Sequence, residues 1–185
     1  MQIIILLSQL LKSILIDTIL VMNNNPIYKT GIGQDSHRFL KNGTLKNCII
    51  AGVLFDDTPG LSADSDGDVV YHAICNALTS ITGIDILATI APDLCHKKGI
   101  TDSKIYLEEG MKKIKNIKIS HVAISIEGKR PKFQNKIPTM KKNIADLLNI
   151  KISQVGITAT SGDGLTSFGL GEGIQAFCII SAYQN

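Results

Sequence analysis

The chain is organised around the segment Gly31-Ile32-Gly33-Gln34-Asp35-Ser36-His37-Arg38-Phe39. If this segment is a strand, the side chains of Asp35 and His37 point to the same side, because alternate residues of a strand share a face. A carboxylate oxygen beside an imidazole nitrogen is half of a divalent-metal site. The same spacing also fits an aspartate that accepts backbone hydrogen bonds at a strand end beside an ordinary polar histidine. The pair alone leaves both interpretations open.

The next candidate ligand lies in the segment Asp64-Ser65-Asp66-Gly67-Asp68-Val69-Val70-Tyr71-His72. Apolar residues then recur at helical spacing, which predicts a helix capped by Asp66, with Asp68 in its first turn. His72 lies off the apolar stripe, and Asp68 four residues earlier is a candidate hydrogen-bond partner for it. A partly buried histidine on a mostly apolar helix is the alternative interpretation.

Composition indicates one folded domain. The chain has 185 residues, of which 44% are hydrophobic and 19% are charged, and this is typical of a globular protein. The net charge is only +3, and the lysines are scattered rather than arranged in a basic stripe with aromatics. Nucleic-acid binding is therefore not expected. The four cysteines, Cys48, Cys75, Cys95 and Cys178, form no Cys-x-x-Cys pair, which excludes a paired-thiolate zinc site and favours a reducing, cytoplasmic compartment.

The first 21 residues are mostly apolar, with Lys12 and Asp17 as the charged interruptions. A signal anchor would have a leading positive charge and a small-residue cleavage site, and a transmembrane helix would bury both charges at a cost. Translation from Met22 would give an ordinary N-terminus. We therefore expect residues 1–26 to be an apolar extension, explained best by a start-site artefact, followed by one domain over 27–185 with no membrane partner. A membrane-tethered zinc-binding module is the alternative that this segment motivates.

Patterning along the chain predicts strands at 28–33, 47–55, 121–126, 153–160 and 173–182, and helices that begin near 66, 102 and 138. Segment 83–99 is expected to be irregular, and 161–171 to be a glycine-rich hairpin loop between the last two strands. This order predicts an α+β fold, a two-layer sandwich with a mixed sheet of four to five strands and helices on one face. The bare sheet face must be covered, and self-association is the simplest cover.

Taken in order, these segments resemble one family, 2-C-methyl-D-erythritol 2,4-cyclodiphosphate synthase of the non-mevalonate isoprenoid pathway. The resemblance continues through Pro92-Asp93, Thr101-Asp102-Ser103, Pro131-Lys132, Ile137-Pro138-x-Met140, Ala159-Thr160 and Gly171-Glu172-Gly173. It extends over about residues 28–182, and several ordered motifs at matching spacing are more specific than any one of them. The resemblance implies a homotrimer with active sites between neighbouring subunits.

The family resemblance also implies a metal-dependent reaction. Asp35, His37 and His72 match its zinc ligands and leave one coordination position open for the substrate's diphosphate. The 2-phosphate of 4-diphosphocytidyl-2-C-methyl-D-erythritol 2-phosphate attacks the β-phosphorus and CMP leaves, so the enzyme is a cyclising phosphorus–oxygen lyase. A second ion, Mg²⁺ or Mn²⁺, is expected to bridge the phosphates, with Asp163 at the position of a carboxylate on that ion.

Further site residues follow from the resemblance. The segment 128–134 matches a cytidine-binding segment, for which a solvated basic loop is the alternative, and Asp64 and Ser161 fall at positions expected to take part in catalysis. The substrate-binding residues that the resemblance implies are Asp35, Ser36, His37, Asp64, Ser65, Asp85, Asp93, Gly128, Lys129, Lys132, Phe133, Gln134, Thr160, Ser161 and Asp163.

Four positions depart from the family pattern. Asp64 stands where a histidine usually lies beside the substrate phosphates, and Leu170 replaces an arginine. Asp85 is one place away from the family's ribose contact, and Cys95 stands where an acidic residue is common. We expect an active synthase. A catalytically weakened member that still binds CDP-type ligands is the second hypothesis.

Overall fold

The computed structural model of the chain describes residues 9–12, 15, 26–41 and 44–184. The extension expected over 1–26 lies outside the described residues except at 9–12, 15 and 26, so its interpretation stays a prediction. Among the described residues, no single helix is long and apolar enough to cross a membrane. The helical segments Val69–Thr82 and Ile86–Lys97 reach that length and apolar composition only when taken together, and the chain bends by 113° between them.

From residue 26 onward, the described residues form six strands and four α-helices. The strands are β1 (Ile27–Arg38), β2 (Cys48–Ile50), β3 (Val53–Phe55), β4 (Lys118–Glu127), β5 (Val155–Thr160) and β6 (Gly173–Gln184). The helices are α1 (Val69–Thr82), α2 (Ser103–Lys113), α3 (Ile137–Leu148) and the single turn α4 (Ser167–Leu170). Shorter turns are π-helical at Ile86–Ile90 and Asp93–Lys97, and 3₁₀-helical at Ile152–Gln154 and Gly162–Gly164.

The main sheet is mixed and has four strands in the order β1, β6, β4, β5. β5 is parallel to β4, and the other pairs are antiparallel. β2 and β3 pair only with each other, as a separate hairpin. The single strand predicted over 47–55 is therefore wrong, because the chain reverses at Ala51 and Gly52, which both have positive φ. The predicted α+β class and four-stranded mixed sheet are confirmed.

The helices cover one face of this sheet. α1 lies across β1 and β6, α3 packs on β5, and α2 packs against α1 and α3. Beneath them, alternate residues of β6 are almost completely buried: Ile174, Ala176, Cys178, Ile180 and Ala182. The opposite face leaves Ile32, Phe177 and Ile179 between 43% and 60% exposed. The sequence-based prediction of helices on one face agrees with this arrangement.

Two glycines allow α1 to lie directly on the backbone of β1. A Cβ atom at Gly31 would lie 2.2 Å from the carbonyl oxygen of Ala77, and one at Gly33 would lie 2.1 Å from that of Ala73. Both distances are far too short for any side chain, and the obstructing atoms belong to the helix backbone. Glycine is therefore required at both positions for this close approach.

Helix α1 begins after Asp68, so the prediction that Asp66 caps it is wrong. The Oδ1 atom of Asp68 accepts hydrogen bonds from the backbone N–H groups of Val70 and Tyr71, both at 3.1 Å. Asp68 has extended backbone angles, as an N-cap residue should. Asp66 instead accepts a bond from the N–H of Asp68 at 3.0 Å and supports the turn that precedes the cap.

Asp68 also joins the β2–β3 hairpin to α1. Its carboxylate accepts from the backbone N–H groups of Ala51 at 2.8 Å and Gly52 at 2.7 Å. Burial and the neighbouring Asp66 carboxylate raise the pKa of Asp68 to about 7, while its backbone donors act in the opposite direction. The carboxylate is committed to these four bonds, so the predicted hydrogen bond from Asp68 to His72 is wrong.

The segment 161–171 is not a hairpin loop, because β5 and β6 are not neighbours in the sheet. It passes the end of β4, which lies between them, and forms a 3₁₀ turn followed by α4. The hydroxyl of Thr166 donates to the carboxylate of Glu127 at the end of β4, which holds the segment there. Segment 83–99, expected to be irregular, contains the two π-helical turns.

Candidate metal centre and substrate pockets

Three potential ligand atoms converge where the end of β1 meets the start of α1. The Oδ2 atom of Asp35 lies 2.9 Å from His37 Nε2 and 2.9 Å from His72 Nδ1, and the two nitrogens are 3.1 Å apart. Tetrahedral zinc with bonds of about 2.0–2.1 Å holds its ligand atoms about 3.3 Å apart. The three atoms therefore have nearly the spacing of a zinc site. Within the described part of the chain, no other group of three His, Cys, Asp or Glu residues converges in this way.

The fold explains why these three residues meet. Asp35 and His37 continue the face of β1 on which Gly31 and Gly33 lie, since side chains alternate along a strand. That face carries α1, and His72 lies in the first turn of α1. Gly31 and Gly33 allow α1 to lie directly on β1. Asp35 and His37, which follow them on the strand, therefore lie beside the N-terminal end of α1.

The charge of Asp35 suits a cation. Burial opposes its ionisation, but hydrogen bonds and charge interactions with His37 and His72 outweigh this, so the pKa of Asp35 lies well below its usual value. The carboxylate is therefore ionised at neutral pH. Two imidazole nitrogens and one ionised carboxylate are a donor set that fits Zn²⁺.

A cavity of about 400 Å³ opens beside the ligands and is lined by His37 and His72 together with Asp64 and Ser65. Asp64, predicted to take part in catalysis, is exposed here, with its carboxylate 3.7 Å from Nε2 of His96. Sequence reasoning did not single out His96, because the segment 83–99 carried no pattern that placed it. The cavity is an open space next to the ligand atoms.

A second cavity, of about 350 Å³, lies at the other edge of the sheet. It gathers seven of the residues assigned to substrate binding from the sequence: Gly128, Lys129, Lys132, Phe133, Gln134, Thr160 and Ser161. The Ser161 hydroxyl donates to the Asp163 carboxylate at 2.9 Å, so Asp163 lies next to this cavity. The structure therefore brings the segment 128–134 and the end of β5 together as one pocket.

Three predicted binding residues lie apart from both cavities. Ser36 follows Asp35 with its side chain on the other face of β1 and lines a third hollow of about 500 Å³, which also includes His37 and Phe168. Asp85 is exposed and accepts a hydrogen bond from the N–H of Ala88 at 2.9 Å. The Asp93 carboxylate pairs with Lys97 at 2.7 Å on the surface. Their roles in binding stay predictions.

The strand register gives the separation of the two cavities. Asp35 lies opposite Ala176 of β6, Ala176 lies opposite Ile126 of β4, and Ile126 lies opposite Ala159 of β5. Three strand spacings correspond to about 14 Å between Asp35 and Ala159. Both cavities are therefore at the same end of the sheet but at opposite edges. The two residues predicted to be catalytic, Asp64 and Ser161, lie one in each cavity.

Comparisons with known proteins agree with these features. A protein-family model described as the YgbB family matches residues 28–183. The 2-C-methyl-D-erythritol 2,4-cyclodiphosphate synthase of Chlamydia felis (strain Fe/C-56) is 55% identical over 159 residues, which cover 85% of this chain and 90% of that relative. That of Chlamydia caviae is 56% identical over the same length.

Solved structures show the same fold. IspF of Plasmodium falciparum, in a CDP complex, has a TM-score of 0.73 and 27% identity, and the match covers 85% of this chain and 97% of that one. The bifunctional IspDF of Campylobacter jejuni has a TM-score of 0.78 and 26% identity over 87% of this chain. This chain spans 43% of the length of that bifunctional protein.

The family match takes in the converging ligands and both cavities, because all of these residues lie within 28–183. The relationship inferred from the ordered sequence motifs is confirmed by the family model and by relatives of more than half identity. The chain belongs to the YgbB family, and its curated relatives are 2-C-methyl-D-erythritol 2,4-cyclodiphosphate synthases.

Proposed function

We propose that the chain converts 4-diphosphocytidyl-2-C-methyl-D-erythritol 2-phosphate into 2-C-methyl-D-erythritol 2,4-cyclodiphosphate and CMP, in non-mevalonate isoprenoid biosynthesis. The observation that carries this proposal is the convergence of Asp35, His37 and His72 beside an open cavity. It occurs in a chain that is 55% identical to a synthase of that name.

The proposed metal at Asp35, His37 and His72 is Zn²⁺, although another divalent cation fits the same donors. When bound, it supplies a fixed positive charge that holds and partly neutralises the diphosphate. For the second ion, Mg²⁺ or Mn²⁺, we propose Asp163 as a carboxylate close to the bridged phosphates. The exposed position of Asp163, next to Ser161 and the second cavity, supports this role.

The second cavity is the proposed cytidine site. Its Phe133 side chain is largely buried and offers an apolar surface, while Lys129 and Lys132 bring positive charge to the same pocket. Exposed backbone groups of a polar loop can pair with the edge of a cytosine ring, and lysines can meet phosphate. The Plasmodium falciparum relative is a CDP complex, which supports a CDP-type ligand for this chain.

The reaction needs positioning more than covalent catalysis. An oxygen of the 2-phosphate attacks the β-phosphorus, a new P–O bond closes the ring, and the bond from the β-phosphorus to the oxygen of the α-phosphate breaks. CMP leaves with that electron pair, so no water enters the product. The residues of the two cavities hold the cytidine and phosphate ends so that attack and departure are in line. Hydroxyls of Ser65, Thr160 and Ser161 can donate to phosphate oxygens as charge shifts between them.

We also propose that three copies of the chain assemble as a homotrimer through the bare sheet face. Ile32 and Ile179 lie opposite each other in the register, beside Phe177, and all three are exposed apolar side chains. Covering this strip removes apolar surface from water. Sedimentation equilibrium is expected to give three chain masses, and Phe177→Asp to shift the protein to monomer. A wild-type monomer at micromolar concentration would refute the trimer.

We also propose a cytoplasmic location, on the basis of the cysteines. Cys48, Cys75 and Cys178 are buried free thiols, as a reducing compartment allows. Burial raises the pKa of Cys48 and of Cys178 to about 12, so neither is a reactive thiolate at neutral pH.

The partner expected from the two cavities is a small CDP-linked substrate, not a nucleic acid.

Turnover of the full chain tests the proposed function. With the diphosphocytidyl substrate, Zn²⁺ and Mg²⁺, we expect equal amounts of CMP and cyclic product, measured by chromatography and phosphorus NMR. The second hypothesis, a weakened CDP-binding member, rests on the departures at Asp64 and Leu170. The Asp64 side chain lines the cavity beside His37 and His72. Tight CDP binding without CMP release would favour that hypothesis, and faster turnover in Asp64→His would assign the weakness to this residue.

A further inference from the structure

We propose that Asp66 and Ser103 form a hydrogen-bond relay that fixes the metal-binding tautomer of His72. The relay runs from the carboxylate of Asp66, through the hydroxyl of Ser103, to Nε2 of His72. Asp66 and Ser103 are thus positioning residues, which orient His72 through the ring nitrogen that does not face the metal position. This inference rests on the metal site of the proposed function.

The order of donors and acceptors in the relay follows from chemistry. The Ser103 hydroxyl donates to Asp66 Oδ1, because the O–H group is the donor and the carboxylate oxygen the acceptor in this pair. Its oxygen, 2.9 Å from His72 Nε2, then has only lone pairs left to offer and accepts a hydrogen bond from the N–H group at that position. In the neutral imidazole that binds a metal, the proton is therefore on Nε2. The lone pair is left on Nδ1, the nitrogen that lies 2.9 Å from Asp35 Oδ2.

Ser103 is not occupied with capping its own helix. Asp102 caps α2, since its Oδ1 accepts from the N–H of Lys104 at 2.9 Å. Ser103 is fully buried, and its hydroxyl points to Asp66 and the imidazole of His72. A buried hydroxyl at a helix start that does not cap the helix is free to orient another group.

Asp66 is itself held in place. Its carboxylate accepts from the backbone N–H of Asp68 at 3.0 Å and from that of Ser103 at 3.3 Å. Its own N–H donates to the carbonyl of Thr101 at 2.7 Å. These bonds join the loop before α1 to the start of α2. The Asp66 carboxylate, which is the acceptor end of the relay, is therefore held in place by the loop before α1 and by the start of α2.

Ser65 is a weaker partner for the same nitrogen. Its hydroxyl oxygen lies 3.3 Å from His72 Nε2 and also accepts from the N–H of Gly67 at 3.1 Å. The hydroxyl of Ser103 is 0.4 Å nearer to Nε2, at 2.9 Å against 3.3 Å for Ser65. Of these two hydroxyls, only that of Ser103 donates to a carboxylate. A carboxylate behind a ligating histidine sets the tautomer and increases the basicity of the ligand nitrogen.

The test is the metal affinity of Ser103→Ala, measured for Zn²⁺ and Co²⁺ by chelator competition in the full chain. We expect the dissociation constant to rise about 10–100-fold, as is typical when the group behind a ligating histidine is removed. The matched control is Ser120→Ala on β4, which loses a hydroxyl that donates to the carbonyl of Ser181 at 3.0 Å. The control should bind both metals like the wild type.

Thermal unfolding with and without zinc separates this role from a purely structural one. A structural defect lowers the melting temperature equally in both conditions, whereas weaker metal binding shrinks the increase that zinc produces. Unchanged metal affinity in Ser103→Ala would refute the relay. If that variant fails to fold, Asp66→Asn, which keeps the side-chain shape, decides in the same way: higher dissociation constants support the relay, and wild-type values refute it. A wild type without zinc affinity would instead refute the metal centre itself.

Discussion

Replacing His72 with alanine is expected to strip zinc from the protein and to lower CMP release by about 10³-fold or more. The change removes one of three ligand atoms that lie within 3.1 Å of one another. Asp35 and His37 alone cannot complete a three-ligand site with one open position. Metal content after dialysis and the rate of CMP release are the measurements.

The matched control for this variant is Asn76→Ala. Asn76 is one turn further along α1, and its amide donates to the carbonyl oxygen of Gln34 on β1 at 2.9 Å. The substitution disturbs the same contact between helix and strand without removing a ligand, so zinc and most of the activity should remain. Full zinc occupancy in His72→Ala would show that the metal is held elsewhere, and the proposed centre would be wrong.

Gly33→Ala is expected to lower the free energy of unfolding by about 3–5 kcal/mol. The new Cβ would lie 2.1 Å from the carbonyl oxygen of Ala73 and 2.3 Å from the backbone nitrogen of Ala77. Neither atom can move unless α1 shifts off β1. At this chain length the melting temperature should fall by about 6–20 °C. Zinc affinity should fall as well, because the same shift separates His72 from Asp35.

Gly156→Ala provides the control, because Gly156 is also a strand glycine. A Cβ there would meet His121 Cε1 at 3.7 Å, an ordinary contact. Its effect should stay within about 1 kcal/mol. Calorimetry or urea unfolding of the two variants gives the comparison. Equal stability of Gly33→Ala and the wild type would mean that α1 does not pack on the strand backbone as described.

The errors of the sequence-based fold prediction have a common cause. Apolar residues on both sides of Ala51 and Gly52 predict one continuous strand. The turn between them needs positive φ at both residues, and Ala-Gly is not a sequence that indicates such a turn. The prediction that Asp66 caps α1 failed for a similar reason. Asp66 and Asp68 both fit a cap by residue type, and the choice depends on which carboxylate the β2–β3 hairpin also contacts.

The sequence by itself determined the local chemistry of this protein. Alternation along one strand placed Asp35 and His37 on one face, and helical spacing placed His72 near a helix start, because both periodicities are properties of the backbone. Ordered motifs then identified the family. Tertiary structure alone decided that His72 is supported by Ser103, which is 31 residues away, and that the two cavities lie at opposite edges of the sheet. Such contacts join separate elements, and the packing that brings them together leaves no periodic signal along the chain.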